Sequence, residues 1–204
     1  MTSLRVVLAL SIFAWHGAAA QSTSPDSRWH LSLAGEGLRF SQAAVDTSAP
    51  PDLQASLRPT SRVGAQIGLD RAFGRWEAGV SAGYAAGQVE IYNESVRVVD
   101  RTAPITRYRV AASVGRALTR VGSGRLIARA GPTADLWAVD GDHRLELGVE
   151  TSLALRLPLG PLELENRITL GISGSPIDQE DIGEGGATRS LRTLAFGLGL
   201  RVPL

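Results

Sequence analysis

The sequence predicts an all-β chain, with eight antiparallel strands closed into an up-and-down transmembrane β-barrel. Three observations lead there. Eight segments alternate apolar and polar residues with a period of two. Tight turns alternate with long loops between them. Glycine gathers on the polar face of the strands and avoids the apolar face.

The first element precedes the strands. Arg5 supplies one positive charge, Val6 to Trp15 form a short apolar run, and "AAAQ" offers a small-residue cleavage site after Ala20. Residues 1–20 therefore read as a signal peptide and residues 21–204 as the barrel domain. The apolar run is too short for a membrane-spanning helix. No Cys follows the cleavage point, so a lipid-anchored N-terminus is not expected.

The eight segments lie near 28–40, 61–73, 76–91, 105–119, 124–138, 143–158, 161–174 and 190–203. The sixth shows the pattern most plainly. Leu145, Leu147, Val149, Leu153, Leu155 and Leu157 share one phase, and Arg144, Glu146, Glu150 and Arg156 the other. The second sets Val63, Ala65, Ile67 and Leu69 against Gly64, Gln66, Gly68 and Asp70. In the first, Trp29, Leu31 and Leu33 begin in one phase, whereas Leu38 and Phe40 end in the other, so a bulge is expected near Gly35–Gly37. "FGR", "VGSG" and "LGP" provide tight turns at one end. The opposite end has long connections, apart from the Asp-Gly hairpin signal in "VDGD".

Two kinds of eight-stranded barrel fit this alternation. A soluble lipocalin-like barrel puts the apolar face inside, and a transmembrane barrel puts it outside. Gly64, Gly68, Gly79, Gly83, Gly87, Gly115, Gly131, Gly148, Gly171, Gly197 and Gly199 all share the polar phase. A water-facing surface has no need of them. A narrow lumen does, because an eight-stranded barrel is just wide enough inside for side chains to fill. The polar face is therefore assigned to the lumen and the apolar face to lipid. Trp29, Phe73 and Trp76 are expected as an aromatic girdle at the turn end, and Tyr92, Tyr108 and Trp137 at the loop end. Arg71, Arg116 and Asn166 share the lipid phase and are expected low, near the turn end.

Charges in a confined lumen must pair. The candidate network comprises Arg109, Arg129, Asp135, Arg144, Glu146, Glu150, Arg156, Glu163, Glu165 and Arg167. Hairpin register places Asp135 opposite Glu146, with Arg109 and Arg144 as partners. It sets Arg156 beside Glu163 or Glu165, and Arg129 and Arg167 about Glu150. The network serves either as a packed plug or as a switchable gate in a narrow pore, and the plug is preferred.

With its export segment, eight strands, asymmetric loops and C-terminal strand "TLAFGLGLRVPL", the chain resembles small bacterial outer-membrane β-barrels of the OmpA/OmpX-like type. The resemblance covers nearly all of residues 21–204 at the level of architecture. It implies an outer-membrane location in a Gram-negative bacterium, periplasmic termini and insertion by the assembly machinery. It also implies contact with outer-membrane lipid and lipopolysaccharide. Family members usually end in an aromatic residue, whereas this chain ends in Pro203 and Leu204.

Little points to chemistry. There are 21 basic and 20 acidic residues, giving a net charge of +1, so no nucleic-acid footprint is present. All the basic residues are Arg, which suits buried pairing with carboxylates. Cysteine is absent. His143 follows Asp140 and Asp142, half of a triad, but no Ser is placed to complete it, and an ordinary hairpin residue is the better reading. Asp178, Glu180, Asp181 and Glu184 lack the spacing of a calcium loop. No cofactor, metal or catalytic site is expected. The role expected is structural, adhesive or ligand-contacting through the loops, with a monomer as the working unit. The alternatives are a narrow porin-like channel and, less favoured, a lipid A-modifying enzyme.

Overall fold

Strands form where the two-residue alternation runs. The computed structural model describes residues 28–47, 50, 54–60, 62–93, 96–139, 141–177, 182 and 186–204. The expected signal peptide, Asp140 and the acidic residues 178, 180, 181 and 184 lie outside the described residues. The strands are β1 (Arg28–Phe40), β2 (Ala44–Asp46), β3 (Ser56–Pro59), β4 (Arg62–Phe73), β5 (Trp76–Tyr92), β6 (Arg97–Val121), β7 (Gly124–Val139), β8 (Asp142–Leu159), β9 (Leu162–Ser173), β10 (Gly186–Thr188) and β11 (Leu191–Pro203). The eight long ones pair antiparallel in the order β1-β4-β5-β6-β7-β8-β9-β11, and β11 returns to β1 to close the ring.

Register determines the barrel's size. From Trp29, the pairs run through Arg71, Ala78, Val114, Ala130, Thr151, Leu170 and Leu194 and return to β1 at Arg39, ten residues further along. That stagger over eight strands corresponds to a tilt of about 40° and a radius of about 8 Å. An extended Arg side chain therefore reaches the axis, and charges on opposite walls can meet.

At one end, Gly74, Gly122 and Gly160 open two-residue turns with φ of 62°, 59° and 62°. Gly141, with φ 91°, closes the β7–β8 turn at the other. Both settings need the left-handed backbone that glycine adopts without cost. Arg28 and Leu204, the two ends of the described chain, lie at the first end.

The outer wall is apolar and bare. Leu145, Leu147 and Val149 are 65%, 73% and 61% exposed, whereas Asp135 and Arg201 inside are 0% and 1% exposed. A soluble barrel would show the reverse, and an apolar belt of this extent needs lipid around it. The fold is a transmembrane β-barrel.

β1 departs from expectation. Its ladders to β4 and β11 run without a register shift, so there is no bulge at Gly35–Gly37. The phase changes because Leu38 and Phe40 point inward into an apolar cluster at the loop end. Real irregularities occur between Gln88 and Val89, and in β6 between Ala117 and Thr119. β6 begins eight residues before the expected 105, and β2, β3 and β10 fill the long loops. The short strands extend upper β5 and β6 into a small sheet in the order β10-β2-β3-β5-β6 above the barrel mouth.

Candidate functional site

The lumen is built in three levels. The lowest and widest is an ion-pair network in which five Arg meet five carboxylates. Arg156 donates to Glu77 at 2.6 and 3.0 Å and to Glu165 at 2.7 Å. Arg129 bonds Glu77 as well, and lies 3.4 Å from Glu165 and 3.5 Å from Asp70. Arg201 holds Glu163 at 2.7 Å and Asp70 at 3.4 Å, and Arg125 takes the other oxygen of Glu163 at 2.7 Å. Arg167 bonds Glu36 at 2.7 Å and Gln66. Each charge is balanced, as burial in a low-dielectric interior demands. Glycines supply the room. A Cβ at Gly115 would come within 2.8 Å of the Cγ atoms of both Arg129 and Glu77, and one at Gly79 would strike Asp70.

A smaller neutral set lies above. Arg107 grips Asp135 through two bonds of 3.0 and 2.7 Å. Arg109 bonds Asp135 at 2.9 Å and Glu150 at 2.8 Å. Bidentate Arg–carboxylate pairing is the strongest form of such contacts. Between the two sets lies a cavity of about 20 Å³ lined by Ser32, Ser81, Arg129, Glu150 and Arg167 among others, room for about one water molecule.

The third level is apolar. Phe40, Ile105, Trp137, Ile177 and Leu191 are buried together under the loop-end sheet. Phe40 and Trp137 pack edge to face at 5.7 Å, and the Arg107 guanidinium lies 5.6 and 5.2 Å from their rings. A cation between two aromatic faces joins the lid to the charges beneath it.

These positions revise the sequence reading. Arg129 and Arg167 do not flank Glu150, because Glu77, Glu165 and Glu36 on other strands are within their reach. Glu150 belongs to Arg109. Asp135 and Glu146 are opposite one another in register and Arg109 holds Asp135, both as expected, while Arg107 joins as a second partner. Arg144 donates to the Pro176 carbonyl at 2.9 Å, and Glu146 lies against Gly174. Of the two acids offered to Arg156, Glu165 is its partner, while Glu163 goes to Arg201 and Arg125. Trp137 is not on the outer surface. It is 2% exposed, in phase with Asp135. Tyr92 stands eight residues beyond Tyr84, past the β5 irregularity, and its ring lies 4.3 Å from the Arg58 guanidinium in the loop-end sheet. Trp29, Phe73 and Trp76 are exposed at the turn end, with Arg71 and Arg116 over the rings of Trp29 and Trp76. At the loop end Tyr108 is exposed and pairs with Tyr84, ring centroids 5.4 Å apart. Asn166 faces out four residues above Leu162, the first residue of β9.

Asp70, Glu77, Arg107 and Arg201 share the lumen phase in the sequence, but sequence reasoning assigns them no partners, and it misses Glu36 and Arg125 altogether. Hairpin register pairs only chain neighbours, and these bonds cross the lumen. Strict alternation alone would have turned Trp137 inward.

No protein-family model matches the chain, and no curated protein matches its sequence. Its fold is shared with solved outer-membrane barrels. The outer membrane protein AlkL, solved in lipid bilayers, aligns with TM-score 0.60 at 12% identity, over 88% of this chain and 90% of that one. OprG of Pseudomonas aeruginosa aligns with TM-score 0.57 at 10% identity, over 88% and 96%. Neisserial surface protein A aligns with TM-score 0.56 at 12% identity, over 85% and 96%. The chain has the fold of a small outer-membrane β-barrel.

Proposed function

We propose that this chain is a non-catalytic outer-membrane protein that works as a monomeric, closed barrel. Its loop end serves a structural, adhesive or ligand-contacting role outside the cell. Residues 1–20 direct export, the assembly machinery inserts the barrel among phospholipid and lipopolysaccharide, and the turn end faces the periplasm. The observation that carries this reading is the filled lumen. Side chains at three levels, from Arg201 to Trp137, are almost wholly buried where a pore would wet them. The loop end, by contrast, is a packed sheet with exposed Ile91, Val96 and Val98.

Topology is tested by labelling, which the absence of native cysteine makes clean. Val98→Cys reacts with a membrane-impermeant maleimide on intact cells, and Ser123→Cys reacts only after the outer membrane is permeabilised. The reverse pattern would overturn the orientation. Lipid A from cells with and without the protein has the same acyl profile; a change in it would restore the enzyme reading.

A further inference from the structure

The turn end opens into a vestibule of about 640 Å³, within the usual size range of small-molecule sites. Its walls carry Arg28, His30, Arg75, Arg120, Arg125 and Arg201 among others. The acids there, Glu77 and Glu163, are already held. Glu77 binds Arg129 and Arg156, and Glu163 binds Arg125 and Arg201. Among the described residues no carboxylate pairs with Arg28, Arg75 or Arg120, so the vestibule has cationic groups in excess.

Two further observations point the same way. The Arg201 side chain is 1% exposed, yet its Nη2 makes no hydrogen bond and stands 3.9 Å from a Glu77 oxygen. His30 Nδ1 is also buried without a partner, and His30 lies diagonally across the β1–β11 ladder from Arg201. On the opposite wall, the irregularity between Ala117 and Thr119 shifts the phase of lower β6. Leu118 is exposed to the outside, and Arg120 is set directly opposite Arg125 in register. Two like charges facing each other across a ladder are destabilising unless something lies between them. Without that extra residue, Arg120 would share the outward phase of Arg116.

We infer that the turn-end vestibule binds a phosphate-class anion, a free phosphate ester or a lipid phosphate, between Arg120 on one wall and His30 and Arg201 on the other. Arginine suits this chemistry because its planar fork matches phosphate oxygens. The compartment that this mouth faces rests on the topology proposed above, whereas the binding does not.

The test uses the folded protein in a phosphate-free, non-ionic detergent, with folding verified by heat-modifiable gel migration. Inorganic pyrophosphate and a short-chain phosphatidylglycerol are titrated separately by calorimetry. Saturable binding of at least one is expected, weakened at least tenfold in Arg120→Gln and unchanged in Arg116→Gln, which alters an outward arginine near the same end. Pyrophosphate binding alone identifies a soluble ester as the ligand, and binding of the lipid alone identifies a headgroup. His30→Gln supplies a second folded variant with the same expected loss. Absence of saturable binding by either probe, or equal weakening in Arg116→Gln, would overturn the inference. Failure of the cysteine-labelling pattern would leave this binding intact, so the two ideas fail separately.

Discussion

One lumen is filled in two different ways. From the turn end to mid-barrel it is occupied by charge, with Arg129, Arg156 and Arg201 interleaved with Asp70, Glu77, Glu163 and Glu165. At the loop end it is occupied by Phe40, Ile105, Trp137 and Leu191. The lower part stands within the lipid belt, where the strands' outer faces are apolar apart from a few residues near the turn end, such as Arg71, Arg116 and Asn166, and charge clusters are placed inside. There the small residues on the lumen face let long charged side chains cross the axis. The upper part lies beneath its own loops, which bring Ile177 and Ile182 to cover apolar side chains. A barrel interior is therefore polar only as far up as no other apolar surface exists to pack against it.

The comparison breaks most sharply at Glu77, which serves two arginines. Glu77→Gln leaves both under-neutralised and costs about 3–5 kcal/mol, the range for removing one partner of a buried pair. It is read as a lower urea midpoint for the barrel in lipid vesicles. Adding Arg156→Gln to that variant costs less than the sum of the two single losses, since the partners are coupled.

Trp137→Ala empties the lid and costs about 3–5 kcal/mol, the range for truncating a buried aromatic. Its signature differs from that of Glu77→Gln. The loss is insensitive to salt, and loop-end proteolysis increases while the lower barrel stays protected. If Trp137→Ala left the loops as resistant as before, the lid would not be what holds them.

The Tyr84–Tyr108 pair on the outside is a milder probe. Tyr108→Ala lowers stability in vesicles by about 1 kcal/mol, the scale of one aromatic pair. Smallest is Arg58→Gln in the loop-end sheet, where Glu90 is buried but keeps Arg97 as a second partner, so the loss of the 3.0 Å contact from the part-exposed Arg58 costs at most about 1 kcal/mol. A larger effect there than at Glu77 would reverse the ranking of the two regions.

Much of the barrel was legible because a strand with two media on its two faces writes both into every second residue. The eight segments, the glycine turns and the outward face of Leu145–Leu157 follow from that alone. β2, β3 and β10 were not legible, since strands of three or four residues in loops rich in Ser, Pro and Gly carry no periodicity. Leu38 and Phe40 misled for a physical reason. The rule that apolar means outward holds only at membrane depth, and above it an inward apolar residue implies a lid rather than a bulge. The same change of rule hid Trp137. Within the network, Arg156 with Glu165 was visible through one hairpin, whereas Arg201 with Asp70 and Arg167 with Glu36 required the closed ring and its ten-residue stagger.

The claim on which the rest depends is that charge below and aromatics above leave no open path. Single-channel recording of the purified barrel in planar bilayers tests it directly. A closed lumen predicts a baseline without discrete openings in moderate salt, both for the native chain and for Tyr108→Ala. Stable, uniform conductance steps from the native protein would contradict it and make the network a gate.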